Sequence, residues 1–142
     1  MPAQAALTLK NYAGTTEAFS PDGTEVSPTG VRVSSWVNAG TGYRVGRYYV
    51  TLQHSLPNKN GLEKYRFIFQ RAVMETLSNN TQSGINPIPT KGYDVTAILE
   101  MWAPARATGS DLNDLIANVK EALNTPNDAM FFNILVGRGR VY

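Results

Sequence analysis

The segment 47-RYYVTLQHSLPNKNGLEKYRFIFQR-71 decides how the rest of the chain is read. Aromatic and β-branched residues alternate with polar ones on either side of Pro57-Asn58-Lys59-Asn60-Gly61, the pattern of two strands joined by a turn. Asn60-Gly61 marks the reversal, because glycine accepts the positive φ that tight hairpin turns require. Side chains alternate across a strand, so Tyr48, Val50 and Leu52 share one face while Arg47, Tyr49, Thr51 and Gln53 share the other. In the second strand Tyr65, Phe67 and Phe69 oppose Lys64, Arg66, Ile68 and Gln70. The aromatic and aliphatic sets are expected beneath helices. The opposite sets combine cations, a hydroxyl, amides and a ring, a mixture that can hold phosphates, hydrogen-bond bases and stack on them. From composition alone, an ordinary solvated sheet face is the default reading of the same residues.

Working outward, the first hundred residues read as strands and turns. LTLKNYAG (7–14) and TEAFSPDGTEV (16–26) suggest an opening hairpin, with a turn expected at Ser20-Pro21-Asp22-Gly23. GVRVSSWV (30–37) follows, then the glycine-rich NAGTGYRVG (38–46), which is read as a turn. It lacks the Gly-Lys-Ser/Thr ending of a phosphate loop and leads into a strand rather than a helix. Beyond the ribbon, LSNNTQSGINPIPTKG (77–92) has the composition of a long functional loop. YDVTAILEMWAP (93–104) is a long last strand with Val95, Ala97, Leu99 and Met101 on one face and Asp94, Thr96, Ile98 and Glu100 on the other.

The period then changes. DLNDLIANVKEAL puts Leu112, Leu115, Ile116, Val119 and Leu123 on one helical stripe, with Ser110 expected as N-cap. Thr125-Pro126-Asn127-Asp128 signals a second helix through AMFFNILV, ending at Gly137. Strands first and two helices last is an α+β order, an antiparallel sheet with helices on one face. The other face must then meet something else.

With 142 residues and 42% hydrophobic content, one domain over 1–142 is expected, with a core that needs no metal or disulfide. The chain has no cysteine, so disulfide frameworks, thiolate zinc sites and cysteine nucleophiles are excluded. The net charge of +2 is mild, but Arg44, Arg47, Lys59, Lys64, Arg66 and Arg71 stand against Glu63 alone between residues 44 and 71. MPAQAALTLKNYAG has no basic region followed by an apolar one, and nowhere do about 18 apolar residues run together. The expectation is a soluble protein that is not exported and has no membrane partner. His54 is the single histidine, read as a loop residue outside any triad or metal spacing. Asp94 and Glu100 share a strand face but stand roughly 20 Å apart at about 3.3 Å per residue, too far for cooperating carboxylates. No enzyme site, cofactor, metal or small-molecule substrate is indicated.

In this order of elements the chain resembles the coat proteins of the single-stranded RNA bacteriophages, the levivirus type. The resemblance covers nearly all of it: an opening hairpin at LTLKN, the F-S-P-D-G and S-P-T-G-V region, and an R-x-x-V-T-L-Q strand reaching Pro-Asn-Lys-Asn. K-Y-R-F-I-F, a polar loop, a D-V-T strand and two terminal helices ending in Tyr142 complete it. It implies the RNA phage coat protein fold: an antiparallel sheet with an N-terminal hairpin, two C-terminal helices and an intertwined homodimer. Two last strands would pair edge to edge, removing an edge that invites aggregation. Phe131, Phe132, Ile134 and Leu135 would bury against the partner. The resemblance further implies an icosahedral shell in the virion, assembled in the bacterial cytoplasm, with segment 77–92 adapting around symmetry axes. The inward sheet face would bind single-stranded viral RNA, including a stem-loop, to package the genome and repress replicase translation.

Carried over by position, Thr51, Gln53, Lys64 and Arg66 fall on the inward face. Arg47, Tyr49, Tyr93 and Asp94 complete the expected RNA-binding set. The chain departs from the family at Gly92, where a stacking tyrosine two residues before Asp94 is expected, and at Ile68, apolar where a polar contact is expected. Beside this structural, self-assembling reading stands a dimer that binds single-stranded nucleic acid on the same face without forming shells. A small enzyme is the third reading, and the lack of converging polar groups argues against it.

Overall fold

The computed structural model describes residues 4–11, 13–38, 44–75 and 88–123. Along the chain come β1 (Leu7–Lys10), β2 (Thr16–Val26), β3 (Arg32–Asn38), a single 3-10 turn (Arg44–Gly46), β4 (Tyr48–Ser55), β5 (Leu62–Met74), β6 (Lys91–Pro104) and α1 (Gly109–Leu123). The strands form one six-stranded sheet in simple sequence order, each beside the next. Pairing from β1 through β5 is antiparallel. Gln70 reaches Asp94 while Arg66 reaches Glu100, so β6 runs opposite to β5 as well. The chain divides into two compact units, Met1–Trp102 and Ala103–Tyr142.

Three of the hairpins share one turn. At 11–14, 27–30 and 58–61 the glycine N–H donates to the carbonyl three residues back, and that first residue's N–H donates to the carbonyl four residues on. Gly14, Gly30 and Gly61 have φ of 78°, 80° and 70°, the left-handed conformation that closes a type I turn with a one-residue bulge. The Asn58 carboxamide oxygen accepts from the N–H groups of Asn60 and Leu62, which pre-forms the loop between β4 and β5. With that loop set, the register follows: Thr51 lies opposite Ile68, Gln53 opposite Arg66 and Ser55 opposite Lys64.

The expected turn at Ser20-Pro21-Asp22-Gly23 is instead the middle of β2. Pro21 lies opposite Trp36 and Gly23 opposite Ser35, so Asp22 is the extra residue of a bulge. Proline and glycine are tolerated in a strand at such a site. The bulge separates two jobs: residues 16–19 pair with β1, whereas residues 20–26 pair with β3. The β1–β2 ribbon lies over the Tyr48, Val50 and Phe69 face, where Leu9 and Phe19 line one cavity with those residues and with Val95 and Ala97. Phe19 and Val50 are buried there, at 4% and 5% exposure. Glu17 ties the ribbon down through Arg71, 3.3 Å away, and the Arg71 guanidinium sits 4.4 Å from the Tyr48 ring centre. Ahead of β1, the Trp36 indole N–H donates to the Ala5 carbonyl at 2.8 Å, and Gln4 donates to the Ser35 carbonyl at 2.7 Å. Within the first unit this face is therefore met by the N-terminal ribbon, a role that the alternation of β4 and β5 does not reveal.

β6 begins two residues earlier than expected, at Lys91, and ends on Pro104 as anticipated. In the second unit α1 starts two residues before Asp111, and its cap is Thr108 rather than Ser110. The Asp111 carboxylate accepts from the Thr108 N–H and hydroxyl, while the Thr108 hydroxyl accepts from the Asp111 N–H. This reciprocal box satisfies helix-end donors. These bonds hold the Asp111 carboxyl below its ordinary pKa, the Thr108 N–H being the largest cause. The expected second helix and most of segment 77–92 lie outside the described residues.

Candidate nucleic-acid interface

Antiparallel partners point to the same side of a sheet, so the register gathers one polar face from four strands. Ser35 and Thr51 are opposite one another, as are Thr51 and Ile68, Gln53 and Arg66, Tyr49 and Gln70, and Ser55 and Lys64. Val33 and Val37 extend the face on β3, opposite Gln53 and Tyr49. β6 contributes Asp94, Glu100 and Trp102, identified by their contacts with Gln70, Lys64 and Arg66.

Two clusters occupy this face, with Thr51 and Ile68 between them. The first is a cleft lined by Arg44, Arg47, Tyr49, Gln70, Lys91 and Asp94. Lys91 donates to Asp94 at 2.7 Å and Gln70 to the same oxygen at 3.1 Å. The Lys91 hydrogen bond is the main cause of an Asp94 pKa held below 3.8. The second cluster joins Lys64, Arg66, Glu100 and Trp102. Glu100 Oε1 lies 3.0 Å from Lys64 Nζ and 3.3 Å from Arg66 Nε, and the Lys64 ammonium stands 5.1 Å from the Trp102 ring centre.

Arg47 Nε and Arg66 Nε are shielded from solvent without a hydrogen-bond partner among the described residues. For Arg66 the carboxylate is within ion-pair reach, but the N–H is not aligned on it. Shielded N–H groups need an acceptor, and phosphate oxygens and base edges are acceptors.

Of the expected RNA-binding residues, Arg47, Tyr49, Thr51, Gln53, Lys64, Arg66 and Asp94 lie on this side. Tyr93 does not: alternation from Asp94 turns it to the side of Val95 and Ala97, where it is exposed. At Gly92 a Cβ would come 3.2 Å from Glu75 Cγ, and Glu75 is itself held by a 2.6 Å hydrogen bond from Thr90. A bulky ring at this position would have to displace that pair. Sequence reasoning did not assign Glu100 and Trp102 to the site. Their period-two spacing from Asp94 was available, but only the β5–β6 register brings them against Lys64 and Arg66.

His54 is a strand residue, not a loop residue. It stacks on Tyr65 across the β4–β5 ladder, with ring centres 4.6 Å apart and planes 2° from parallel. Both rings reach one carboxylate oxygen of Glu63, which accepts the Tyr65 hydroxyl at 2.7 Å with His54 Nε2 at 3.4 Å. Among the described residues no group of three or more His, Asp or Glu side chains could hold a metal ion, and no helix is long and apolar enough to cross a membrane.

Solved structures share this architecture. A virus-like particle of bacteriophage ESE058 matches with a TM-score of 0.76 at 20% identity, covering 99% of this chain and all of the other. One of Beihai levi-like virus 21 matches at 0.72 and 16% identity, with 99% of each chain covered. The capsid protein of bacteriophage GA matches at 0.64 and 15% identity, with 96% of each covered. No curated protein matches the sequence. The fold is that of the RNA phage capsid proteins, a structural class. The family model of the levivirus coat protein matches residues 2–142, and the chain belongs to that family.

Proposed function

We propose that this protein is the subunit of an icosahedral phage shell, in which residues 1–142 act as one coat domain, homodimers assemble and the polar sheet face binds single-stranded genomic RNA. Apolar surface on β6 carries the assembly reading. Tyr93, Val95, Ile98 and Trp102 are each more than half exposed on a strand at the end of the sheet order. An unpaired apolar edge favours pairing with another copy, and a two-fold partner closes it. The stripe of α1 supports the same reading, since Leu115, Ile116 and Leu123 are exposed and an amphipathic helix needs cover. Helices crossing over the partner subunit would supply that cover. The virion is then the protein's location. The RNA role draws its support from Arg47, Thr51, Gln53, Lys64 and Arg66 sharing one face. Binding of a stem-loop there would couple packaging to repression of replicase translation.

Electron microscopy of the purified protein tests the shell: uniform particles are expected, and a dimer that persists at every concentration would replace it with the non-capsid nucleic-acid-binding reading. For the RNA face, Arg66→Ala should lower the RNA content of particles, read from their ultraviolet absorbance ratio, more than it lowers particle yield. Equal RNA content in both proteins would remove Arg66 from the interface.

A further inference from the structure

Glu100 occupies the place where the polar face would draw a phosphate. A single oxygen, Oε1, lies between the Lys64 ammonium and the Arg66 guanidinium, at 3.0 and 3.3 Å. The Trp102 ring also lies against Lys64, with its centre 5.1 Å from the ammonium. The three charged side chains keep 37%, 38% and 28% of their surface, so each remains partly open to solvent although Arg66 Nε itself is shielded. It presents one net positive charge rather than two. The cleft at the other end of the face differs, because Arg44 and Arg47 there have no ion-pair partner among the described residues, Asp94 being engaged by Lys91.

We propose that Glu100 is a specificity-determining residue of the RNA face: it positions Lys64 and Arg66 while competing with RNA phosphates for them. This rests on reading the face as an RNA surface. Non-specific affinity for RNA is made almost entirely of phosphate contacts, whereas sequence is read through bases. A phosphate arriving at Lys64 and Arg66 exchanges one anion for another, so the gain from backbone contact alone is small. An RNA that also offers base contacts to Thr51 and Gln53, or a ring to stack on exposed Trp102, adds interactions that Glu100 does not oppose. The carboxylate thereby penalises every RNA that places a phosphate at Lys64 and Arg66, and it raises the ratio of specific to generic binding for an RNA whose base contacts are made without a phosphate there.

Glu100→Gln keeps the shape and removes the charge. A fluorescein-labelled oligouridylate, titrated with the purified protein over a salt series, should bind the variant about fivefold more tightly at low salt. The slope of log K against log salt should steepen by about 0.7, the effect of one further cation neutralising a phosphate on a single strand. Glu100→Ala removes the same charge with a different shape, so tightening in both variants reads the charge. Unchanged or weaker binding in Glu100→Gln overturns the proposal. Lys64→Ala/Arg66→Ala in the same series separates this from failure of the RNA reading. If the double variant binds less while Glu100→Gln does not gain, the face binds RNA without a competing carboxylate. If the double variant binds as wild type does, these cations do not touch RNA and both readings fall here.

Discussion

The two faces of the β4–β5 ribbon are made from alternate residues of the same strands, yet they are organised by different physics. On one, Tyr48, Val50 and Phe69 meet Phe19 from the β1–β2 ribbon, and the closed contacts are apolar. On the other, Arg47, Tyr49, Thr51, Gln53, Lys64 and Arg66 remain half-buried and polar, joined to β6 by Asp94 and Glu100. Apolar burial is non-directional and stabilises in proportion to area, so the first face serves the fold. Half-exposed ion pairs contribute little to stability, so the second face is not what holds the fold together. One ladder thus separates an apolar packing face from a polar, half-exposed one by a single residue's step.

Substitutions can break that separation or sharpen it. Phe19→Ala should have the largest effect, about 3–5 kcal/mol of lost stability for a buried phenylalanine, read from urea denaturation at fixed protein concentration. Thr51→Ala on the polar face is the control, expected to stay within about 0.5 kcal/mol. A comparable loss in both would erase the distinction. Gly61→Ala tests the turn that keeps the faces in register. Its φ of 70° is strained for any residue with a Cβ, and a cost of about 1–2 kcal/mol is expected. Retained stability would mean that the register is held elsewhere.

The smallest effect concerns the corner where His54, Tyr65 and Glu63 meet. The Tyr65 hydroxyl, ahead of the His54 contact, is the main cause of a Glu63 pKa below its ordinary 4.5, partly offset by burial. A lowered carboxylate pKa stabilises the fold above the unfolded value, and that contribution disappears as pH falls through the folded value. Tyr65→Phe should therefore move the Glu63 titration, followed by carboxyl NMR, upward toward 4.5. It should also remove part of the acid dependence of unfolding. An unmoved titration would show that the hydroxyl does not hold the carboxylate.

Much of this was legible in the residues themselves. Alternation through YYVTLQHS and EKYRFIFQ separated Val50 and Phe69 from Thr51 and Arg66, and the structure keeps them on opposite faces. Asn58-Lys59-Asn60-Gly61 announced a turn that is present. Pro21-Asp22-Gly23 misled because a bulge and a turn make the same local demands: a residue without an N–H, an unpaired residue and a glycine. Pairing with Trp36 and Ser35, contributed by a strand further along, decided between them. The Thr108 cap was missed because Ser110 is also a capping residue, and only hydrogen-bond geometry distinguishes them.

What the sequence determined by itself is therefore the set of co-facial residues and the reversal between β4 and β5, because both follow from backbone sterics over a few neighbouring residues. The ordered set of these elements was also enough to indicate the levivirus coat family, which the family match bears out. Only the tertiary structure decided that the N-terminal ribbon lies over Val50 and that Glu100 sits between Lys64 and Arg66. Those outcomes depend on pairing between segments distant in the chain, where a shift of one residue would exchange every side chain between the faces. Alternation alone cannot specify which glutamate meets which lysine.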